Sequence, residues 1–487
     1  MSEREPALRV PPGPMDHKSR LVLASVVGVL ALACITALWR VVGPIALHVP
    51  LDPNEGWNAY YAAAAMAGPG PYPDASGFMT NNYPPLSFYI VGTVAKVFGD
   101  YIVAGRVVSL LAFLALGGGI AALVRKSGCG WLEAIFASLI FAGFLLLNSD
   151  YVGMDDPQLL GHAVQFCALL IFLTRKESLP TDLTCAALFV AGLFIKHNLV
   201  AMPLAIIIWL SLSEWRRAAR LAAFMLLFGF FGLAACRIAF GFELLGRLNS
   251  ARMYSLSLFA ANFRVWLIPA ALSFAATLAV GTTRDRFAVF CAVYALVSIL
   301  IGGIFLGGAG VDANAMFDAD IAVALGAGIA LGRIGKLSRP GTALAGPMLA
   351  LVLALPLALE TARAYDSSWL ERDFWLHPMR DEAGIGESDI AYLRAHKGPA
   401  ICEVLSLCYW AAKPASVDVF NLEQQFLTHR RDMGAFVRLL NARAFAVIQL
   451  DSLSPFPAQV QSAIRQNYYV DRTNDDGLFL IPKTANQ

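Results

Sequence analysis

Two carboxylates follow the first long apolar run of this chain, in the segment Leu51-Asp52-Pro53-Asn54-Glu55-Gly56-Trp57. Asp52 and Glu55 are three residues apart, so on a helical backbone they share one face. A carboxylate held there can act as general base toward a hydroxyl. A second can orient the acceptor or bind a metal. The alternative is capping: Asp52 or Asn54 beginning a helix over about 55–66, with Pro53 at its start. Capping and catalysis are compatible.

Three more polar groups stand out against their apolar surroundings. Asp155-Asp156-Pro157 precedes an apolar run. One acid there suffices as a cap before proline, and the second is surplus. Lys196 and His197 end a short apolar run, where Lys196 reads as an interfacial anchor or a phosphate clamp. Asp312, Asp318 and Asp320 form a fourth acidic group, of which the last two enter an apolar run where charge is expensive. Arg237, Arg247, Arg252 and Arg264 are interleaved with Phe, Leu and Tyr. That stretch reads as an interfacial amphipathic segment, its arginines gripping phosphate or snorkelling to lipid headgroups.

The elements that hold these residues are membrane spans. Of 487 residues 57% are hydrophobic and 15% charged, against roughly 25% charged in soluble chains. That excess exceeds one globular core and predicts an integral membrane protein. The net charge of +2 and the lack of a basic run argue against nucleic acid. After a polar tail over 1–20, hydropathy predicts eleven spans: about 21–47, 103–123, 131–147, 157–173, 183–197, 199–212, 218–238, 265–281, 287–306, 316–332 and 342–359. Short basic loops such as Arg125-Lys126, Arg175-Lys176 and Arg216-Arg217-Arg220 fall on the side of the basic N-terminus, which places that side in the cytoplasm. The acids gather on the other side, with a polar loop over 48–102.

Beyond about 360 the composition becomes polar. Ala400–Val404, Ala444–Leu450 and Gly477–Ile481 read as strands, and about 422–441 has helical spacing. This predicts a soluble α/β domain over 361–487 on the outer side. Cys402 and Cys408 lie in it, and both a disulfide and two free thiols are open.

The order of features in the first polar loop resembles the GT-C superfamily of polytopic glycosyltransferases. Those features are an acidic D-x-x-E-G segment after the first span, an aromatic and alanine helix, Gly-Pro-Tyr-Pro, and Asn82-Tyr83-Pro84-Pro85-Leu86 before a juxtamembrane helix. The nearest group is the bacterial dolichyl-phosphate-mannose-protein-mannosyltransferase-like one, which includes lipid A aminoarabinose transferases. The resemblance covers about 21–360. It implies a helical transmembrane bundle, a polyprenyl-phosphate sugar donor, inversion at the anomeric carbon, and a bacterial inner-membrane location with the site on the periplasmic face. Implied partners are the donor, a lipid, glycan or protein acceptor, and membrane lipid. The family's acidic pair falls on Asn54-Glu55, so Asp52 and Glu55 both remain candidates for the base, and Asp156 matches its second acid. Its charged residue before Pro-Pro is Tyr83 here, which leaves the phosphate contact to Lys196 or the arginines. Asn82, Asp155, His197, Arg247 and Arg252 complete the candidate substrate contacts. A divalent cation, Mg or Mn, is compatible with the carboxylates and is not required by them. The competing class is a transporter, or a sugar carrier without catalysis. Transporters place polar groups near the bilayer midplane and often repeat their halves. Neither pattern occurs here.

Overall fold

The computed structural model describes residues 17–68, 70–74, 76–241, 248, 252–283, 285–337, 344–364, 370–453 and 456–484. Arg247 and the tail over 1–16 lie outside the described residues. Helix α1 (His17–Val42) begins within the stretch over 1–20 expected as a polar tail.

Each expected span coincides with a helix. After α1 come α2 (Asn54–Ala67), α3 (Leu86–Phe98), α4 (Tyr101–Lys126), α5 (Trp131–Leu146) and the short α6 (Ser149–Gly153). Then follow α7 (Gln158–Thr174), α8 (Leu179–Ile195), α9 (Ala201–Ser211) and α10 (Trp215–Phe240). The bundle is completed by α11 (Leu256–Gly281), α12 (Arg286–Phe305), α13 (Phe317–Leu337) and α14 (Ala345–Ala364). Among the described residues seven helices are long and apolar enough to cross a membrane. Four of the expected spans, α5, α7, α8 and α9, are shorter, at 11 to 17 residues. At 1.5 Å per residue they reach roughly 17–25 Å, less than a bilayer core of about 30 Å.

α13 is the central helix. Ile321 through Leu325 are all fully buried, and it packs against α5, α11 and α12. Peripheral α10 instead exposes Leu226, Phe230 and Ile238, as a lipid-facing helix must. The two ends of the expected interfacial segment over 237–264 belong to spans, and 242–247 and 249–251 lie outside the described residues. Arg237 lies in α10 and Arg264 in α11, because the apolar residues between the arginines extend both helices.

The C-terminal part carries α15 (Arg372–Leu376), α16 (Arg380–Ala395), α17 (Leu405–Trp410), α18 (Val419–Leu427), α19 (Gly434–Asn441) and α20 (Ala458–Asn467). Its sheet has the order β1 (Ala400–Cys402), β2 (Val447–Leu450), β4 (Gly477–Pro482), β3 (Tyr468–Asn474), with β1 and β2 parallel and the remaining pairs antiparallel. The three expected strands are present, β1 and β2 shorter than expected, and β3 is additional. The single helix expected over about 422–441 is two helices, because His429 adopts a left-handed backbone (φ 55°) that ends the first. Cys402 and Cys408 are joined, with Cα atoms 5.9 Å apart.

This sheet-bearing part is stitched to the loop that carries the first acids. Trp57 Nε1 donates to Asp418 Oδ2 at 3.0 Å, Tyr60 Oη to the Lys413 carbonyl at 2.8 Å, and Trp410 Nε1 to Asp100 Oδ2 at 3.0 Å. Gly56 permits the closest approach. A Cβ there would stand 2.1 Å from the backbone of Leu405 and Ser406, so the glycine of D-x-x-E-G is the seat of α17.

Candidate active site at the sheet-bearing end of the bundle

Asp52 and Asp156 sit at two similar helix entrances. Asp52 Oδ1 accepts the backbone N–H of Asn54 at 2.7 Å, with Pro53 between them, just before α2. Asp156 Oδ1 accepts the N–H of Gln158 at 2.7 Å, with Pro157 between them, just before α7. Neither side chain caps deeper into its helix. Each proline leads directly into the first turn and has no N–H to satisfy. Each aspartate thus keeps its second oxygen for other partners.

Asp156 gives both oxygens to Lys196, at 2.9 and 3.0 Å. The pair is buried, with side chains 3% and 4% exposed. Lys196 Nζ also lies 4.9 Å from the centroid of the Tyr83 ring. Burial opposes the Lys196 charge, but Asp156 and Tyr83 outweigh it and raise its pKa. Tyr83 is itself pushed up by burial. Its loop is held by Asn81, whose side chain accepts the Tyr83 N–H at 2.9 Å and donates to the Pro71 carbonyl at 2.7 Å. Asn82 is buried beside it, and exposed His197 stands 6.5 Å from the Tyr83 ring.

Asp52 is half-buried. Burial pushes its carboxyl up to about 6, and the nearby Asp156 and Glu55 charges add to the shift. Its position between water and the bundle suits a proton acceptor near neutrality.

Glu55 is different in kind. It is fully buried and accepts four hydrogen bonds: from Arg106 Nε at 2.6 Å, Arg106 Nη2 at 2.7 Å, Leu51 N at 3.0 Å and Asp155 N at 3.2 Å. Arg106, on α4 and also fully buried, reaches onward to the carbonyls of Pro44, Leu47 and Val49 at 3.0, 2.9 and 2.6 Å. One ion pair therefore pins the exit of α1, the start of α2 and the entrance of α7. The sequence reading passed over Arg106. Its signal is an arginine inside an apolar run, where charge needs a partner.

Asp155 is also enclosed. Its carboxyl lies so close to Gly105 that a Cβ there would meet Oδ1 at 1.9 Å. Burial, then Glu55 and Asp156, push its pKa well above the usual carboxylate range. Asn58, on α2, donates to its carbonyl at 2.6 Å.

Arg252 approaches from the loop before α11. Its guanidinium stacks 4.6 Å from the Phe420 ring and donates to the Ala309 carbonyl at 3.4 Å. Among the described residues it has no carboxylate partner in an ion pair. It lies within electrostatic reach of Tyr83 and Asp418. Burial lowers its pKa, while Tyr83 and Asp418 act in the opposite sense. Trp57, Asp418 and Phe420, none of them singled out from sequence, thus join this end of the bundle to the sheet-bearing part.

Among the described residues no three of His, Cys, Asp and Glu converge as ligands of a metal ion. The acids expected to supply them are engaged elsewhere, Glu55 by Arg106 and Asp156 by Lys196. With those two acids paired, no all-protein cage for a cation is assembled among the described residues.

Residues 82–242 match the family model of dolichyl-phosphate-mannose-protein mannosyltransferases, over less than half of the chain. The chain is similar in structure to ArnT from Cupriavidus metallidurans in the apo state, with a TM-score of 0.62 and 15% sequence identity over 94% of this chain and 98% of that one. The same protein bound to undecaprenyl phosphate matches with a TM-score of 0.61 at equal identity and coverage. No curated protein matches by sequence. The fold is an ArnT-like GT-C fold, and the chain is a multi-pass membrane protein.

Proposed function

We propose that this chain is an inverting glycosyltransferase. It moves a monosaccharide from a polyprenyl-phosphate donor to a hydroxyl at the outer face of a bacterial inner membrane. The family match and the GT-C fold support the class, and the undecaprenyl phosphate bound by the similar ArnT supports the donor. The observation that carries the chemistry is the half-buried Asp52, with a pKa of about 6, beside the Asp156–Lys196 pair.

Asp52 takes the proton from the acceptor hydroxyl. The oxygen attacks the anomeric carbon from the face opposite the phosphate. The bond from that carbon to the phosphate oxygen breaks, and its electron pair leaves with polyprenyl phosphate. Arg252 is the cation left to receive that developing charge. Lys196, already bonded to Asp156, adds positive potential and holds the Tyr83 loop. Asp156 orients Lys196. Glu55 and Asp155, fully enclosed, act as positioning residues through Arg106 and the α7 entrance.

In this reading the tail is cytoplasmic, residues 21–360 form the membrane domain, and residues 361–487 form a periplasmic domain. A transporter is disfavoured because the acids lie at helix entrances at one end of the bundle, away from its middle. The test is release of polyprenyl phosphate by purified protein, given a panel of polyprenyl-phosphate sugars and membrane extract, beside Asp52→Asn. Release that disappears in the variant supports the proposal. Equal release from both overturns Asp52 as the base, and no release from any donor with a competent extract overturns the class.

A further inference from the structure

A cavity of about 350 Å³ lies beside this site, between α5, α11, the turn before α13 and the last turns of α14. Apolar and polar side chains share its walls, and Val265 at its edge is 70% exposed. The cavity therefore opens sideways, on the surface that faces lipid.

Its polar groups are mostly hydrogen-bond acceptors. Asp320 is 3% exposed and accepts Trp266 Nε1 through Oδ1 at 2.8 Å. Among the described residues its other oxygen has no hydrogen-bond partner. Asp312 spends one oxygen on the Ala313 N–H at 2.7 Å, and Glu360 spends one on Arg363 at 2.5 Å. Asn148 and Asn262 turn their amide nitrogens to the carbonyls of Phe144 and Leu306, at 3.4 and 3.3 Å, which leaves their amide oxygens as the free groups. Three carboxylates and one guanidinium line the cavity. That balance repels an anionic head group and favours one rich in donors. The Asp320 oxygen that no donor reaches is open to a ligand, and O–H groups brought there would give it charge-assisted hydrogen bonds.

We propose that this cavity binds the hydroxyl-rich sugar head of a neutral membrane glycolipid, whose acyl chains leave past Val265. The further assignment of that lipid as the acceptor rests on the glycosyltransferase reading. Charge then sorts the two substrates. The phosphate is drawn to Arg252, and the sugar head to Asp320 and Asp312. Tyr151 links the two regions, being within electrostatic reach of Asp52, Asp156 and Asp312.

The test is native mass spectrometry of the full chain in phosphatidylcholine nanodiscs doped with monoglucosyl diacylglycerol, phosphatidylglycerol or a dialkyl-dimethylammonium lipid. Wild type is expected to retain the glucolipid about tenfold over phosphatidylglycerol, and Asp320→Asn to lose about tenfold in retention, as for one charged hydrogen bond. Val265→Trp, which fills the mouth from its exposed edge, is expected to lose the glucolipid while melting as wild type does. Equal retention of glucolipid and phosphatidylglycerol, a preference for the cationic lipid, or folded variants that keep the glucolipid each overturn the proposal. Retention does not depend on turnover. Glucolipid bound without any transfer sinks the acceptor role and leaves the cavity assignment standing, whereas transfer by a protein that retains no glucolipid sinks the cavity assignment alone.

Discussion

Asp52 and Asp156 stand in matching turns, each accepting the N–H two residues on across a proline, at the entrances of α2 and α7. Their surroundings then separate them. Asp156 is clamped by Lys196, and half-buried Asp52 has no cation paired with it among the described residues. Two acids in similar turns are thereby set to different tasks.

Replacing Asp52 by Asn is expected to lower kcat by about 10²–10⁴-fold, the range for a lost general base. The melting temperature in detergent should stay near wild type, since Asn can still accept the Asn54 N–H. A variant that is inactive because it no longer melts cooperatively would point to structure instead.

The rate should depend on pH with a definite sign. The Asp52 pKa of about 6 lies above the usual value, so the basic form is lost as pH falls through 6. Below that point kcat/KM should fall about tenfold per unit, and above about 7 it should be flat in this limb. A profile still flat at pH 5 would exclude Asp52 as the titrating base.

Glu55→Gln should act on stability. It leaves Arg106 charged and buried among carbonyls, at a cost of about 3–5 kcal/mol. Arg106→Met should cost a similar amount. The double variant should be less destabilised than the sum of the two, which a double-mutant cycle in urea would measure. Additive losses would mean that the pair does not couple the three segments it touches.

Arg252→Gln is predicted to raise the donor KM roughly 10–100-fold, as expected for a lost charged hydrogen bond of about 1.5–3 kcal/mol. The acceptor KM should be unchanged. Steady-state kinetics with each substrate varied in turn separates the two. A shift confined to the acceptor would relocate the phosphate site.

Gly56→Ala should unseat α17, because its Cβ would fall 2.1 Å from the Leu405 and Ser406 backbone. Limited proteolysis between residues 365 and 400 should accelerate, and transfer should fall with it. Gly118, whose added Cβ meets nothing within 4 Å, supplies the control Gly118→Ala, which should change neither readout.

Hydropathy alone determined the helical bundle, because an apolar run with no polar outlet can only be a helix in a bilayer. Loop charge and the D-x-x-E-G and Tyr-Pro-Pro-Leu segments marked one end of that bundle as the place for chemistry. The reading could not separate Asp52 from Glu55. Spacing says that two acids share a face, whereas the choice depends on what surrounds each. Only the tertiary structure places Arg106 against Glu55, buries that pair, and leaves Asp52 half in water. It also decided that Cys402 and Cys408 are bonded, that Gly56 seats α17, and that Asp418 reaches Trp57 from 361 residues away. These are contacts between segments far apart in the chain. Local pattern carries period and charge, but desolvation and ion pairing arise only when distant segments meet.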